Sequence, residues 1–202
     1  MKKKKPSRTT RVKCFMIEPT GRYNYYLRRY SKEHTCKDGW CHNAMTFLHE
    51  SPVQKVIGDI HPHDDSHWPA TCEKCCYQFQ ESDHWQLFHN ELYKRGDNGE
   101  VLEFDRRKIP PGAMWYADWM NDFHTGPDGR CLVVMTPGGE WIIDSRASNC
   151  TMPNDKEHKC WIRHGTPPMV TVDKTGGKTC AAGAGSIIAG NYHGFLVNGE
   201  FT

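Results

Sequence analysis

The sequence predicts an α+β fold: a zinc-knuckle module with one short helix, followed by a β-rich second half. Three observations predict it. Cys72-Glu73-Lys74-Cys75 is a CxxC knuckle, a turn that sets two thiolates about 2.3 Å from one zinc while nearby amides carry part of the sulfur charge. The run from Asp83 to Gly96 reads as a capped amphipathic helix. After Pro110 the pattern changes to short β-branched stretches separated by turns rich in glycine and proline.

The organisation expected from these signals is a flexible basic arm over residues 1–13, the zinc-knuckle module over 14–109 and a β-rich domain over 110–202, divided at Ile109-Pro110-Pro111-Gly112. In the arm, Lys2, Lys3, Lys4, Lys5, Arg8, Arg11 and Lys13 all precede the first acidic residue, Glu18. Such a run is a solvated tail, or an arm for nucleic acid or an acidic partner. Cys14 to Ile17 follows as a strand that ends at the Pro19-Thr20-Gly21 turn. Tyr23, Tyr25, Tyr26 and Tyr30, interleaved with Arg22, Arg28 and Arg29, pack at the edge of a small core, with base stacking as the alternative.

The helix has a start, a face and a stop. Asp83 suits the N-cap, Gln86 completes a capping-box pattern, and Trp85, Phe88 and Leu92 recur on one face. Lys94 and Arg95 complement the C-terminal dipole, and Gly96 can take the left-handed stop. Downstream, Cys131 to Met135 and Trp141 to Asp144 flank Thr136-Pro137-Gly138-Gly139-Glu140 and read as a β-hairpin. Val170 to Val172, Gly185 to Ile188 and Phe195 to Val197 are further strands, with turns at Gly176-Gly177 and Asn198-Gly199.

Composition narrows the function classes. With 202 residues, 37% of them hydrophobic and 25% charged, the chain can bury a core but not a generous one. It contains no run of the roughly 18 apolar residues that a membrane helix needs, and its first residues lack an apolar signal core. The expectation is therefore a location in the host cytoplasm, possibly in a virion, with no membrane partner. In a reducing compartment ten cysteines and twelve histidines read as metal ligands or thiols more readily than as disulfides.

Zn²⁺ is the expected cofactor. Its ligands are Cys72 and Cys75 with Cys36 and Cys41, and His42 can replace Cys41. His84 and His89 are five positions apart and too close to Cys75 for an ordinary DNA-reading finger. A second cluster comprises Cys150, His158, Cys160, Cys180 and His193. It can form a second zinc site or a Cys/His nucleophilic pair, and buried inert cysteine is the bland reading. The glycine-rich segment after Cys180 lacks the Gly-Lys-Ser/Thr ending of a phosphate loop. His61-Pro62-His63-Asp64-Asp65-Ser66-His67 resembles the HxHxDH motif of the metallo-β-lactamase fold but misses its last histidine by one position, so no catalytic residue is assigned there.

The segments Pro110 to Trp119, Gly139 to Asp144, His158 to Gly165, Cys180-Ala-Ala-Gly-Ala-Gly-Ser-Ile187 and His193-Gly-Phe-Leu-Val-Asn-Gly199 resemble an uncharacterised family of small phage and prophage zinc-knuckle proteins. The likeness extends back through His61 to Phe79. It implies a phage or prophage origin and carries no activity with it. After such a knuckle the resemblance leads one to expect glycine at position 76, where this chain has cysteine. The functional expectation is a zinc-stabilised, non-enzymatic accessory or virion-associated binding protein with a phage or host protein as partner. Nucleic-acid binding, weak and nonspecific through the arm, and metal-dependent or thiol hydrolysis are the alternatives.

Overall fold

Aromatic and β-branched residues populate the chain from end to end, and the structure they form is almost entirely β. A computed structural model describes residues 11–31, 33–36, 39–40, 44–51, 70–122, 124–178, 180 and 185–202. Its strands in the first half are β1 (Val12–Lys13), β2 (Phe15–Tyr30), β3 (Thr35–Cys36), β4 (Gly39–Trp40), β5 (Ala44–Ser51), β6 (His84–Arg95) and β7 (Val101–Glu103). The second half adds β8 (Ala113–Tyr116), β9 (Leu132–Thr136), β10 (Gly139–Ile142), β11 (Ile162–Thr166) and β12 (Met169–Asp173). It ends with β13 (Ile187–Ala189), β14 (Tyr192–Gly194), β15 (Leu196–Val197) and β16 (Glu200–Phe201). The helical element among the described residues is a 3₁₀ turn at Asp118–Met120.

The α+β expectation is therefore corrected. Residues 84–95 are strand β6, not a helix. The local capping signals are real but serve a turn: the Asp83 carboxylate accepts the Gln80 amide at 2.7 Å, and the Asp83 amide donates to the Gln80 carbonyl at 3.0 Å. What decides the conformation is aromatic pairing with β2. Phe88 stacks on Tyr26 with centroids 5.4 Å apart, His84 on Tyr30 at 5.4 Å, and Tyr23 meets His89 edge-on at 5.2 Å. Cross-strand aromatic pairs of this kind outweigh the small differences in intrinsic propensity. The turn expected at Pro19-Thr20-Gly21 is likewise absorbed into β2, which runs through it with Gly21 at φ +70°.

The chain forms two compact units. One takes the described residues of 1–18, 95–100 and 106–202, the other those of 19–94 and 101–105. In the first unit, β1, β16, β15, β12 and β11 form one sheet in that order, and β10, β9, β8 and the start of β2 form another. Met114, Leu132 and Val134 from the second sheet share a core with Val170, Val172, Leu196 and Phe201 from the first. Alternation sets the faces, since Val170 and Val172 are buried while Met169 is exposed. The β9–β10 hairpin is as the sequence indicated, with Thr136 paired to Gly139 across its turn, and the expected Asn198-Gly199 turn joins β15 to β16, a strand the sequence reading did not assign. Both Asn198 (φ +47°) and Gly199 (φ +71°) are left-handed, as a two-residue hairpin turn demands. The last residues of the basic arm are built in: Val12 pairs Phe201 and Lys13 pairs Glu200.

In the second unit β2 pairs β5, with Tyr25 opposite His49 and a bulge before Tyr26, and β6 pairs β7 with Leu92 opposite Glu103. Tyr25 is buried there, so this tyrosine belongs to the core of a sheet. Thr20 Oγ1 donates to the Leu92 carbonyl at 2.8 Å, tying β2 to β6.

Candidate metal centres

The first centre is built by the knuckle and by β3. Thr71 and Gln78 form a β-bridge, and the Cys72 amide donates to the Tyr77 carbonyl at 2.9 Å, so the chain reverses tightly over Cys72–Cys76. The Cys76 amide closes the turn on the Cys72 carbonyl at 2.8 Å. Cys76 adopts φ +58°, the left-handed geometry that makes glycine the natural occupant. Cys36, at the end of β3, meets the knuckle, and the sulfurs of Cys36, Cys72 and Cys75 all lie within 4.8 Å of one another. Cys36 Sγ and Cys72 Sγ are 3.6 Å apart. A disulfide would need about 2.05 Å, whereas a tetrahedral zinc separates its ligand atoms by about 3.5–3.8 Å.

Sequence reasoning overlooked His34. Its Nε2 is 3.8 Å from Cys75 Sγ, and its ring stacks on Tyr77 at 4.3 Å. Cys41 and His42, the fourth ligands expected from the sequence, lie outside the described residues. The one signal for His34 was its place two residues before Cys36. Burial works against ionisation of Cys72, but amides of Lys74 and Cys75 and the neighbouring thiols bring its thiol down to about 7. A thiol in that range ionises readily to a ligand.

The second centre lies in the other unit. Cys150, His158, Cys160 and Cys180 place one ligand atom each within 4.8 Å of the others. The loop between β10 and β11 supplies three of them and is shaped by its own backbone. The Cys150 amide bonds to the Ala147 carbonyl at 3.1 Å and the His158 amide to the Asp155 carbonyl at 3.2 Å. Arg146 spans the loop, donating to the carbonyls of Met152, Pro153 and Asp155. Cys180 arrives after β12, where Lys174 Nζ donates to the Cys180 carbonyl at 3.1 Å and lies 3.6 Å from its sulfur.

The residues fit a zinc ion on three counts. His158 Nε2 and Cys160 Sγ are 3.7 Å apart, close to a tetrahedral edge. His158 is 1% exposed and it is Nε2 that faces Cys160; Nδ1, on the far side of the ring, has no hydrogen-bond partner among the described residues, and a metal at Nε2 would not supply one. Burial pushes the Cys160 thiol up to about 11, partly offset by the Ala147 amide and reinforced by Cys150 and Cys180. Three thiols converging on one point resist ionising together, and a dication removes that resistance. The Met152 amide, 3.4 Å from Cys150 Sγ, and Lys174 supply the donors that a thiolate-rich site requires around it.

His193, grouped with these ligands on sequence grounds, does not join them. It sits on β14 with its Nε2 3.2 Å from Ser186 Oγ. Cys14 and Cys131 join neither cluster among the described residues. Burial raises Cys14 to about 12 and Cys131 to about 11, as for inert core thiols. The His61 to His67 segment and Lys2 to Arg8 of the arm lie outside the described residues.

No family model, curated protein or solved structure matches this chain.

Proposed function

We propose that this chain is a zinc-stabilised, non-enzymatic accessory or virion-associated binding protein of phage or prophage origin. The observation that carries the reading is the convergence of Cys150, His158, Cys160 and Cys180 on one point, with His158 and Cys160 buried and the other two half-buried. Three thiolates and one imidazole fill the tetrahedral shell of zinc and leave no position for an activated water, the arrangement of structural rather than catalytic sites. The knuckle cluster of Cys36, Cys72 and Cys75 gives the other unit its own centre. The phage origin rests on the resemblance of the segments that carry these ligands. A hydrolase reading gains nothing from a closed shell, and the partner of a binding protein of this kind is a phage or host protein.

Metal analysis of protein purified under reducing conditions tests it. About two zinc ions per chain are expected, one lost in Cys160→Ser and the other in Cys72→Ser, each with unfolding of its own unit because structural zinc contributes folding free energy directly. Wild-type protein without zinc, or metal that persists in both variants, overturns the reading.

A further inference from the structure

A cavity of about 430 Å³ opens beside the second metal centre, within the range of about 300–1,000 Å³ of small-molecule sites. Its walls are Trp141 of β10, Trp161 at the foot of β11, Arg146 and Ser148 of the metal loop, and Ser186 and Ile188 around β13. The two indoles meet edge to face at 5.5 Å and 82°, so each ring is held in place by the other. Ile188 is exposed at 69%, an apolar side chain left at the rim. Arg146 is fixed by three loop carbonyls, and the Ser186 hydroxyl is engaged by His193.

The chemistry of these walls is one-sided. Among the described lining residues none is acidic, Arg146 is a permanent cation and the Ser148 hydroxyl can donate, while the Ser145 hydroxyl already donates to the Ile142 carbonyl. A ligand complementary to them has a planar apolar body for the indoles and an anionic group for the guanidinium and the Ser148 hydroxyl. The geometry points to a nucleoside monophosphate unit, base against Trp141 and Trp161 and phosphate toward Arg146, bound either free or as part of a single strand. Aromatic stacking tolerates any base, so base identity is not selected here. The inference rests on the metal reading in one respect: Arg146 and Ser148 lie on the loop of Cys150, and Trp161 directly follows Cys160.

Calorimetric titration of the full zinc-loaded chain tests the site, with AMP, adenosine, inorganic phosphate and the single strand (dA)₆ as probes. AMP is expected to bind one per chain at about 0.1–1 mM, with adenosine and phosphate each about tenfold weaker because each forfeits one of the two contacts. Trp141→Leu and Arg146→Gln should each weaken AMP about tenfold. Ser148 is exposed, so Ser148→Phe blocks the cavity without touching the core and should abolish binding even where the other variants fail to fold. Tighter binding of (dA)₆ than of AMP identifies a strand as the source, and equal binding a free nucleotide. Zinc is measured on the same samples. A zinc-replete chain that shows no saturable AMP binding, or binding that survives Ser148→Phe, overturns the cavity assignment and leaves the metal reading intact. Full AMP binding by zinc-free protein overturns the metal reading instead.

Discussion

At Cys76 the backbone and the side chain disagree. Its φ of +58° closes the knuckle, yet a residue with a Cβ loses about 1 kcal/mol or more in that region relative to glycine. The side chain is exposed and is not among the sulfurs that cluster, so nothing in the centre depends on it. Cys76→Gly should therefore raise the stability of the knuckle unit by about 1 kcal/mol while leaving zinc content unchanged. Urea unfolding followed by metal analysis checks both halves, and a loss of zinc in this variant would show that Cys76 is a ligand after all. The expectation of glycine at this position comes with the resemblance, and the left-handed φ of Cys76 gives it a physical reason. The place of His193 was not legible in the sequence. Its exclusion from the second centre follows from the register of β14, which sets it opposite Ile188, and no spacing in the sequence reports a register.

Among the elements, β6 shows where local reading stops. Trp85, Phe88 and Leu92 recur at three and four residues, which is helical spacing, and the flanking Asp83 and Gly96 carry helix-ending chemistry. The competing information sits some sixty residues earlier, in the tyrosines of β2. The β9–β10 hairpin and the Asn198-Gly199 turn were readable because their turn residues and strand residues are adjacent. A second long-range device holds β11 to the loop before β9. Arg163, with its side chain 2% exposed, bonds Asp128 at 2.7 Å and Asp144 at 3.2 Å, while Tyr116 Oη donates to Asp128 at 2.9 Å. Gly126 packs so closely that a Cβ there would collide with the Arg163 guanidinium. Burial raises Asp128, but Arg163, the Arg130 amide and Tyr116 outweigh it and hold the carboxyl down at about 2. Asp144 goes the other way, its carboxyl raised by burial despite the Leu132 amide and Arg163.

The sign for Asp128 is that of a depressed acid. Its contribution is complete above the unfolded value of about 3.9 and is lost as pH falls through about 2. Because its side chain is 36% exposed, solvent screening reduces the contribution to about 1 kcal/mol. Asp128→Asn should cost that much at pH 7 and nothing near pH 2, as read by denaturant unfolding at the two pH values. An equal cost at both would mean that packing, not charge, ties the loop to β11. Arg163→Met should be far worse, about 3–5 kcal/mol, since it strands Asp144 as a buried unpaired acid.

Across the whole molecule, charge is separated rather than absent. The formal charge of +2 becomes −3 once Lys2 to Lys5 and Arg8 are set aside, so the positive field belongs to one end of the chain. Arg11 and Lys13 belong to the sheet edge, the first 3.9 Å from Glu200 and the second opposite it in the β1–β16 ladder. Lys2 to Lys5 and Arg8 add five cations ahead of β1, and each phosphate that such groups neutralise contributes about −0.9 to the log–log salt slope on duplex DNA. Deletion of residues 2–10 is therefore the informative truncation, because it spares β1 and with it the sheet edge on β16. Weak binding with a slope of about −3 to −4 is expected for the full chain, lost on deletion with zinc content and folding unchanged. A short duplex titrated with salt against both forms makes the comparison, and the duplex hides its bases from the cavity of Trp141 and Trp161. Binding to the duplex that survives the deletion would place the phosphate contacts on the folded units and would make nucleic-acid recognition the principal function, ahead of a protein partner.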